Sequence, residues 1–174
     1  MIGIAKERKQ NNAIWKAVVI NIVALLIVFL FFEPGASVDD LWPAAILYGA
    51  CTGEYVPTLL YSNDLLAMLM VALLKVFPNV AWYFVIFYVC MWVSFTVLTF
   101  ILLNKCGRKA FWICYLLMVM PAYHDFFVRV NFGKTAAVAI VAGFALVFYA
   151  IELFQKKYGY YLVGIVLIDR KSVV

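Results

Sequence analysis

Charge is what this chain has least of. Only 13% of its 174 residues are Asp, Glu, Lys or Arg, about half the share usual in a soluble domain. So few charges cannot cover a globule of this length with polar surface, and a soluble fold is excluded. Metal and redox chemistry is equally short of material. One histidine and four cysteines (Cys51, Cys90, Cys106 and Cys114, without C-x-x-C spacing) supply neither a zinc set nor a disulfide framework. P-loop, H-E-x-x-H, G-x-S-x-G and dinucleotide motifs are missing. Internal repeats and low-complexity tracts are missing too. No charge sits near the centre of a long apolar run, which argues against a proton pump or voltage sensor. What remains is 68% apolar and aromatic, with a mean hydropathy of +1.02. That composition is an integral membrane protein.

The first apolar run, Trp15 to Phe32, carries Lys16 at its edge and Asn21 inside. It follows Lys6, Arg8 and Lys9, which places the N-terminus in the cytoplasm. The run is too long for a signal peptide, and Phe31-Phe32-Glu33-Pro34 is a poor cleavage site. Glu33 to Pro57 is acidic and without Lys or Arg, and is broken by Pro34, Gly35, Pro43, Gly53 and Pro57. It reads as an outer loop with a short interfacial helix over Leu41–Ala50, with Trp42 and Tyr48 at headgroup level. Ala81–Leu103 is a full span, and Lys105-Cys106-Gly107-Arg108-Lys109 after it marks a cytoplasmic turn. For that turn to face inward, Thr58–Phe77 must lie along the outer surface or re-enter rather than cross. Phe111–Tyr123 returns outward and Thr135–Phe154 crosses back to Gln155-Lys156-Lys157. Tyr158–Ile168 starts a further run that Asp169-Arg170-Lys171 stops short of a span's length.

The expected fold is therefore an all-α membrane protein with its N-terminus cytoplasmic. It has four transmembrane helices (about 15–32, 81–103, 110–123 and 134–154) and a short fifth stub (159–168). Two interfacial helices, about 41–50 and 58–77, occupy the first outer loop. The net charge of +5 is topogenic, so nucleic acid is not an expected partner. Ala136, Ala137, Ala139, Ala142, Gly143 and Ala145 offer the fourth span a small-residue packing face.

Asp39-Asp40 is the sharpest chemical feature. Adjacent carboxylates raise at least one pKa, so one is suited to general-base work while the other binds a cation or hydroxyl. The competing reading is helix capping by Ser37 or Asp39. His124 beside Asp125 reads as a metal ligand or proton relay, or else as a polar pair at the water interface. Arg129 and Lys134 place positive charge on the acidic face, where a phosphate headgroup would hold it; the alternative is snorkelling. Asp64, after Asn63, either extends the polar site toward Asp39 or belongs to a helix cap. Trp82-Tyr83 and Trp42 read as interface anchors.

The order of these features carries a resemblance. An acidic pair, a short helix and a glycine turn (Cys51-Thr52-Gly53-Glu54-Tyr55) come first. A surface helix ending Leu73-Leu74-Lys75-Val76-Phe77-Pro78-Asn79, a full span and a basic turn follow. This order resembles the N-terminal part of GT-C integral-membrane glycosyltransferases, over roughly residues 15–168. It is more similar still to a group of bacterial multi-span membrane proteins with a D-D…G…T-G motif and an F-P-x-x-x-W-Y junction. Here these are Asp39-Asp40, Gly49, Thr52-Gly53 and Phe77-Pro78-Asn79-Val80-Ala81-Trp82-Tyr83.

The resemblance implies residence in the bacterial cytoplasmic membrane. It also implies that Asp39 or Asp40 deprotonates an acceptor hydroxyl, which attacks a sugar carried by a polyprenyl phosphate at the outer face. Arg129, Lys134, His124, Asp125 and Asp64 are then the candidate substrate-binding residues. The chain departs from the class at the mouth of the fourth span. Asn131-Phe132-Gly133-Lys134-Thr135 has no carboxylate where many members carry a second acid or metal ligand. The resemblance fixes no cofactor, and a divalent cation is the candidate. The expected partners are membrane lipid, a polyprenyl-phosphate-linked sugar and a partner membrane subunit. Two alternatives stay open: a non-catalytic membrane scaffold or subunit, and a fragment of a lipid-linked sugar transporter. Because the class completes its site with further spans, the chain is expected to be the N-terminal portion of a longer enzyme.

Overall fold

The computed structural model describes residues 2–59 and 63–152. The expected fifth stub and the basic cap at 155–157 lie outside them. Four helical stretches are long and apolar enough to cross a membrane. The first is the end of α1 (Ile2–Phe31), from Asn12 onward. The others are α4 (Trp82–Lys105), the run from α5 (Arg108–Cys114) to α6 (Met120–Val128), and α7 (Phe132–Glu152). With no water in the hydrocarbon to satisfy backbone groups, an apolar run of this length is stable only as a helix closing its own hydrogen bonds. Its outer side chains are correspondingly apolar: Leu30, Phe31, Leu117 and Phe148 are all exposed. The chain is an integral membrane protein of all-α class.

The third span is longer than the expected 110–123, and it is not a uniform α-helix. α5 passes through a π-helical turn at Tyr115–Val119 before α6 begins. Pro121 stands in the first turn of α6. Having no N–H, it cannot bond the carbonyl four residues back, and its ring crowds that carbonyl. The widened turn absorbs the conflict without ending the helix.

Helix α4 is central, packed against both α1 and α7. The contact with α7 uses the small-residue face: Ala139 and Ala142 are fully buried, against Val97 and Leu98. Ala137, expected on that face, is exposed instead. Deeper in the bundle, polar groups join three helices. Asn21 Nδ2 donates to Thr99 Oγ1 and to the Ala17 carbonyl, each at 2.9 Å. The Thr99 hydroxyl in turn donates to the Phe95 carbonyl at 2.8 Å, and the Tyr123 hydroxyl donates to the Asn21 carbonyl at 2.9 Å. Asn21, Thr99 and Tyr123 are all buried, so the network is closed off from lipid.

Between α1 and α4 lie two short helices. α2 (Val38–Leu47) starts three residues earlier than Leu41, so both aspartates fall inside its first turn. α3 (Asp64–Val76) is 13 residues rather than the expected 58–77. At ~1.5 Å per residue it reaches about 20 Å, short of a ~30 Å hydrocarbon core. Asn63 caps it by accepting from the Leu65 N–H at 3.0 Å, and Pro78 follows its end. Phe29 at the end of α1 meets Tyr88 near the start of α4, ring centroids 5.7 Å apart. The segment between the two helices therefore makes no net crossing of the bundle. A two-residue parallel bridge, β1 (Gly35–Ala36) with β2 (Arg129–Val130), pins the same end together.

A buried interhelical hydrogen bond in a membrane is worth about 0.6 kcal/mol on average. Tyr123→Phe removes one, and should lower the unfolding free energy in mixed micelles by about that amount. Thr99→Val also takes away Asn21's partner across the helix interface, and should cost more, about 1–2 kcal/mol. Equal stability of both variants and the parent would show that the network contributes nothing.

Candidate functional site

The site lies where α1 and α6 finish and α4 and α7 begin, here called the acidic end. Asp40 is its centre. Consecutive helical residues point about 100° apart, so Asp39 and Asp40 cannot face the same way. Asp39 is exposed, whereas Asp40 is 0% exposed and turned inward. Asp40 Oδ1 accepts a hydrogen bond from the Tyr83 hydroxyl at 2.8 Å and from the Phe132 backbone N–H at 3.1 Å. Phe132 opens α7, so Asp40 serves as a side-chain acceptor for a helix far from it in sequence, on that helix's positive end. Asn131 supplies the local cap of α7, its Oδ1 accepting from Gly133 N–H at 2.7 Å.

Burial raises the Asp40 pKa above the ordinary carboxylate value, and it is the largest influence. The hydrogen bonds from Tyr83 and Phe132 oppose it, and the neighbouring Asp39 charge adds the least. The expected cause, repulsion within the pair, is therefore secondary to loss of water. Asp40 Oδ2 is buried with no hydrogen-bond partner. Tyr48, expected at headgroup level, lies on the same cluster: burial raises its pKa and its hydroxyl finds no partner of good geometry. Tyr83, read from sequence as an interface anchor, is instead buried and bonded to Asp40. Trp42 is exposed, as an anchor would be.

The glycine motif has a local reason. Gly49 adopts φ +77°, and a Cβ there would collide with the Glu54 backbone. Gly53 also has φ +77°, but with open space around it. Thr52 Oγ1 donates to the Glu54 carbonyl at 2.8 Å and closes the turn. This tight reversal returns the chain along α2, where Val56 N–H reaches the Leu47 carbonyl at 3.3 Å.

The remaining sequence candidates gather less closely. Lys134 Nζ pairs with Asp125 Oδ2 at 2.9 Å and lies 5.7 Å from the Phe126 ring centre. Each is thus the other's partner. The exposed His124 ring stands edge-on to Phe32, centroids 4.2 Å apart. Arg129 is exposed on β2 opposite Gly35 and has no ion pair among the described residues. Asp64 is exposed in the first turn of α3 and forms no bond with either Asp39 or Asp40. Among the described residues, no three His, Cys, Asp or Glu side chains come together as a metal-binding group. The four cysteines are free thiols.

Sequence reasoning missed Tyr83 and the Phe132 N–H as partners of Asp40. Tyr83 does close the F-P-x-x-x-W-Y junction, which was the available signal. Comparison with family models, curated proteins and solved structures found no match.

Between the unfolded and folded Asp40 pKa values, the folded protein holds a proton that the unfolded chain has lost. Stability contributed by this group is therefore complete below the ordinary value of 3.8 and is lost as pH rises through the raised folded value. Unfolding in mixed micelles across this range should show stability falling with pH in the parent. Asp40→Asn, which cannot titrate, should remove that slope. A slope unchanged in the variant would assign it to another group.

Proposed function

We propose that the chain is a glycosyltransferase of the GT-C kind, acting at the acidic end on a sugar carried by a polyprenyl phosphate. We place it in a bacterial cytoplasmic membrane with the N-terminus inside. Charge supports that orientation. Lys6, Arg8, Lys9, Lys16, Lys105, Arg108 and Lys109 lie toward one end of the bundle, while Lys75, Arg129 and Lys134, fewer in number, lie toward the other with most of the acidic residues. Basic residues favour the cytoplasmic side.

The observation that carries the reading is the division of labour within the acidic pair. Asp40 is held by Tyr83 and the α7 N-terminus, and its neighbour Asp39 is exposed on the same turn. Asp39 is the base: it takes the proton of an acceptor hydroxyl. The hydroxyl oxygen bonds to the anomeric carbon, the bond from that carbon to the phosphate oxygen breaks, and polyprenyl phosphate leaves. Arg129, exposed on the adjoining bridge without an ion partner among the described residues, receives the phosphate's negative charge. Asp40 is a positioning residue that fixes α2. Lys134 is neutralised by Asp125 and borders the site, with His124 beside it.

A second reading, a non-catalytic membrane subunit, is favoured by the complete burial of Asp40 and the closed Asp125–Lys134 pair. Membranes carrying the chain and supplied with labelled polyprenyl-phosphate sugars separate the two. Asp39→Asn should cut transfer by about a hundredfold or more at unchanged abundance and unfolding midpoint, and Arg129→Gln should raise KM. Transfer that is indifferent to Asp39→Asn refutes the enzyme reading. Orientation is checked separately: in a cysteine-free background, Glu33→Cys should label from outside and Arg108→Cys only after permeabilisation.

A further inference from the structure

At the end opposite Asp40, a cleft of about 820 Å³ opens between α1, the end of α4 and the start of α5. Its size falls in the range of small-molecule sites, about 300–1,000 Å³. Two kinds of side chain line it. Trp15, Val19, Phe111 and Trp112 provide aromatic and apolar wall, and Lys16 and Arg108 provide two positive charges. No carboxylate lies among the described lining residues. Both cations are exposed, and neither has an ion pair among the described residues.

The depth of the cleft matters as much as its charge. It sits where the span of α1 begins, where α4 ends and where the third span starts. This is the level at which a bilayer changes from acyl chain to headgroup, and where tryptophan is favoured. Single basic residues at such a place are explained by topology alone. Two cations lining one cleft without an ion pair among the described residues, with tryptophans beside them, match a different object: a phosphate attached to an apolar tail. Basic pockets between transmembrane helices bind anionic lipid headgroups in this way.

We infer that this cleft is a binding site for one anionic phospholipid. Its phosphate lies between Lys16 and Arg108, and its glycerol and first acyl carbons lie against Trp15, Val19, Phe111 and Trp112. The site is separate from the acidic end and does not depend on the proposed transfer reaction.

Native mass spectrometry of the full chain released from mixed micelles of phosphatidylglycerol and phosphatidylcholine tests this. One phosphatidylglycerol should be retained in preference to phosphatidylcholine by about tenfold or more, given the usual contribution of two basic residues. Lys16→Gln combined with Arg108→Gln should abolish the preference. Arg108→Lys, which keeps the charge, should keep most of it, as should Lys75→Gln on α3, which removes a charge away from the cleft. Trp112→Ala should weaken retention of phosphatidylglycerol. Equal retention of the two lipids would overturn the inference, as would a preference that survives the double substitution. Displacement by millimolar glycerol 3-phosphate would also overturn it, because the site would then recognise a free phosphate and not a lipid.

Discussion

A carboxylate removed from water must find donors or give up its charge. Asp40 meets that constraint by drawing together three elements distant in sequence: the first turn of α2, the start of α4 through Tyr83, and the start of α7 through the Phe132 N–H. The rest of the acidic end follows from this arrangement. Because Asp40 points inward, Asp39 on the same turn points outward. Because α2 is held against the mouths of α4 and α7, the chain after it must turn back sharply, and Gly49 supplies a φ of +77° that a side chain could not share with the Glu54 backbone. The β1–β2 bridge adds only two residue pairs. A carboxylate whose second oxygen is buried without a partner is costly, and its raised pKa expresses that cost.

A second polar layer, in the depth of the bundle, answers a different problem. Lipid tails are as apolar as leucine, so burial alone gives the helices little reason to associate. Small residues and interhelical hydrogen bonds take over. Ala139 and Ala142 let α7 approach α4 closely. Asn21, Thr99 and Tyr123 tie α1, α4 and α6 to one another. The π turn before Pro121 belongs to the same economy, since it lets the third span continue to Tyr123 and on to the acidic end without a break.

How far these features could be read in advance depended on their range in sequence. Spans were legible because an apolar run of bilayer length has one stable conformation. The cap at Asn63 was legible because its acceptor lies two residues from its donor. Asp39 and Asp40 stood out as a pair, yet nothing local distinguished the one that turns inward. Tyr83 looked like an interface anchor because a tyrosine at the end of a span usually is one, and its partner is 43 residues away. Asn21 was visible only as an interruption in an apolar run; Thr99, 78 residues on, gives it a purpose. Lys134 and Asp125 were each expected to face a substrate, and proved to face each other.

The sequence by itself determined the class of this protein and the number of candidate crossings within the described residues. Hydropathy and length act on each segment alone, and a bilayer leaves an apolar segment no other choice. Only the tertiary structure decided which polar groups are buried together, which aspartate stays exposed, and that two cations share one cleft with two tryptophans. Those outcomes depend on the angles at which helices meet, set by packing between residues far apart in the chain.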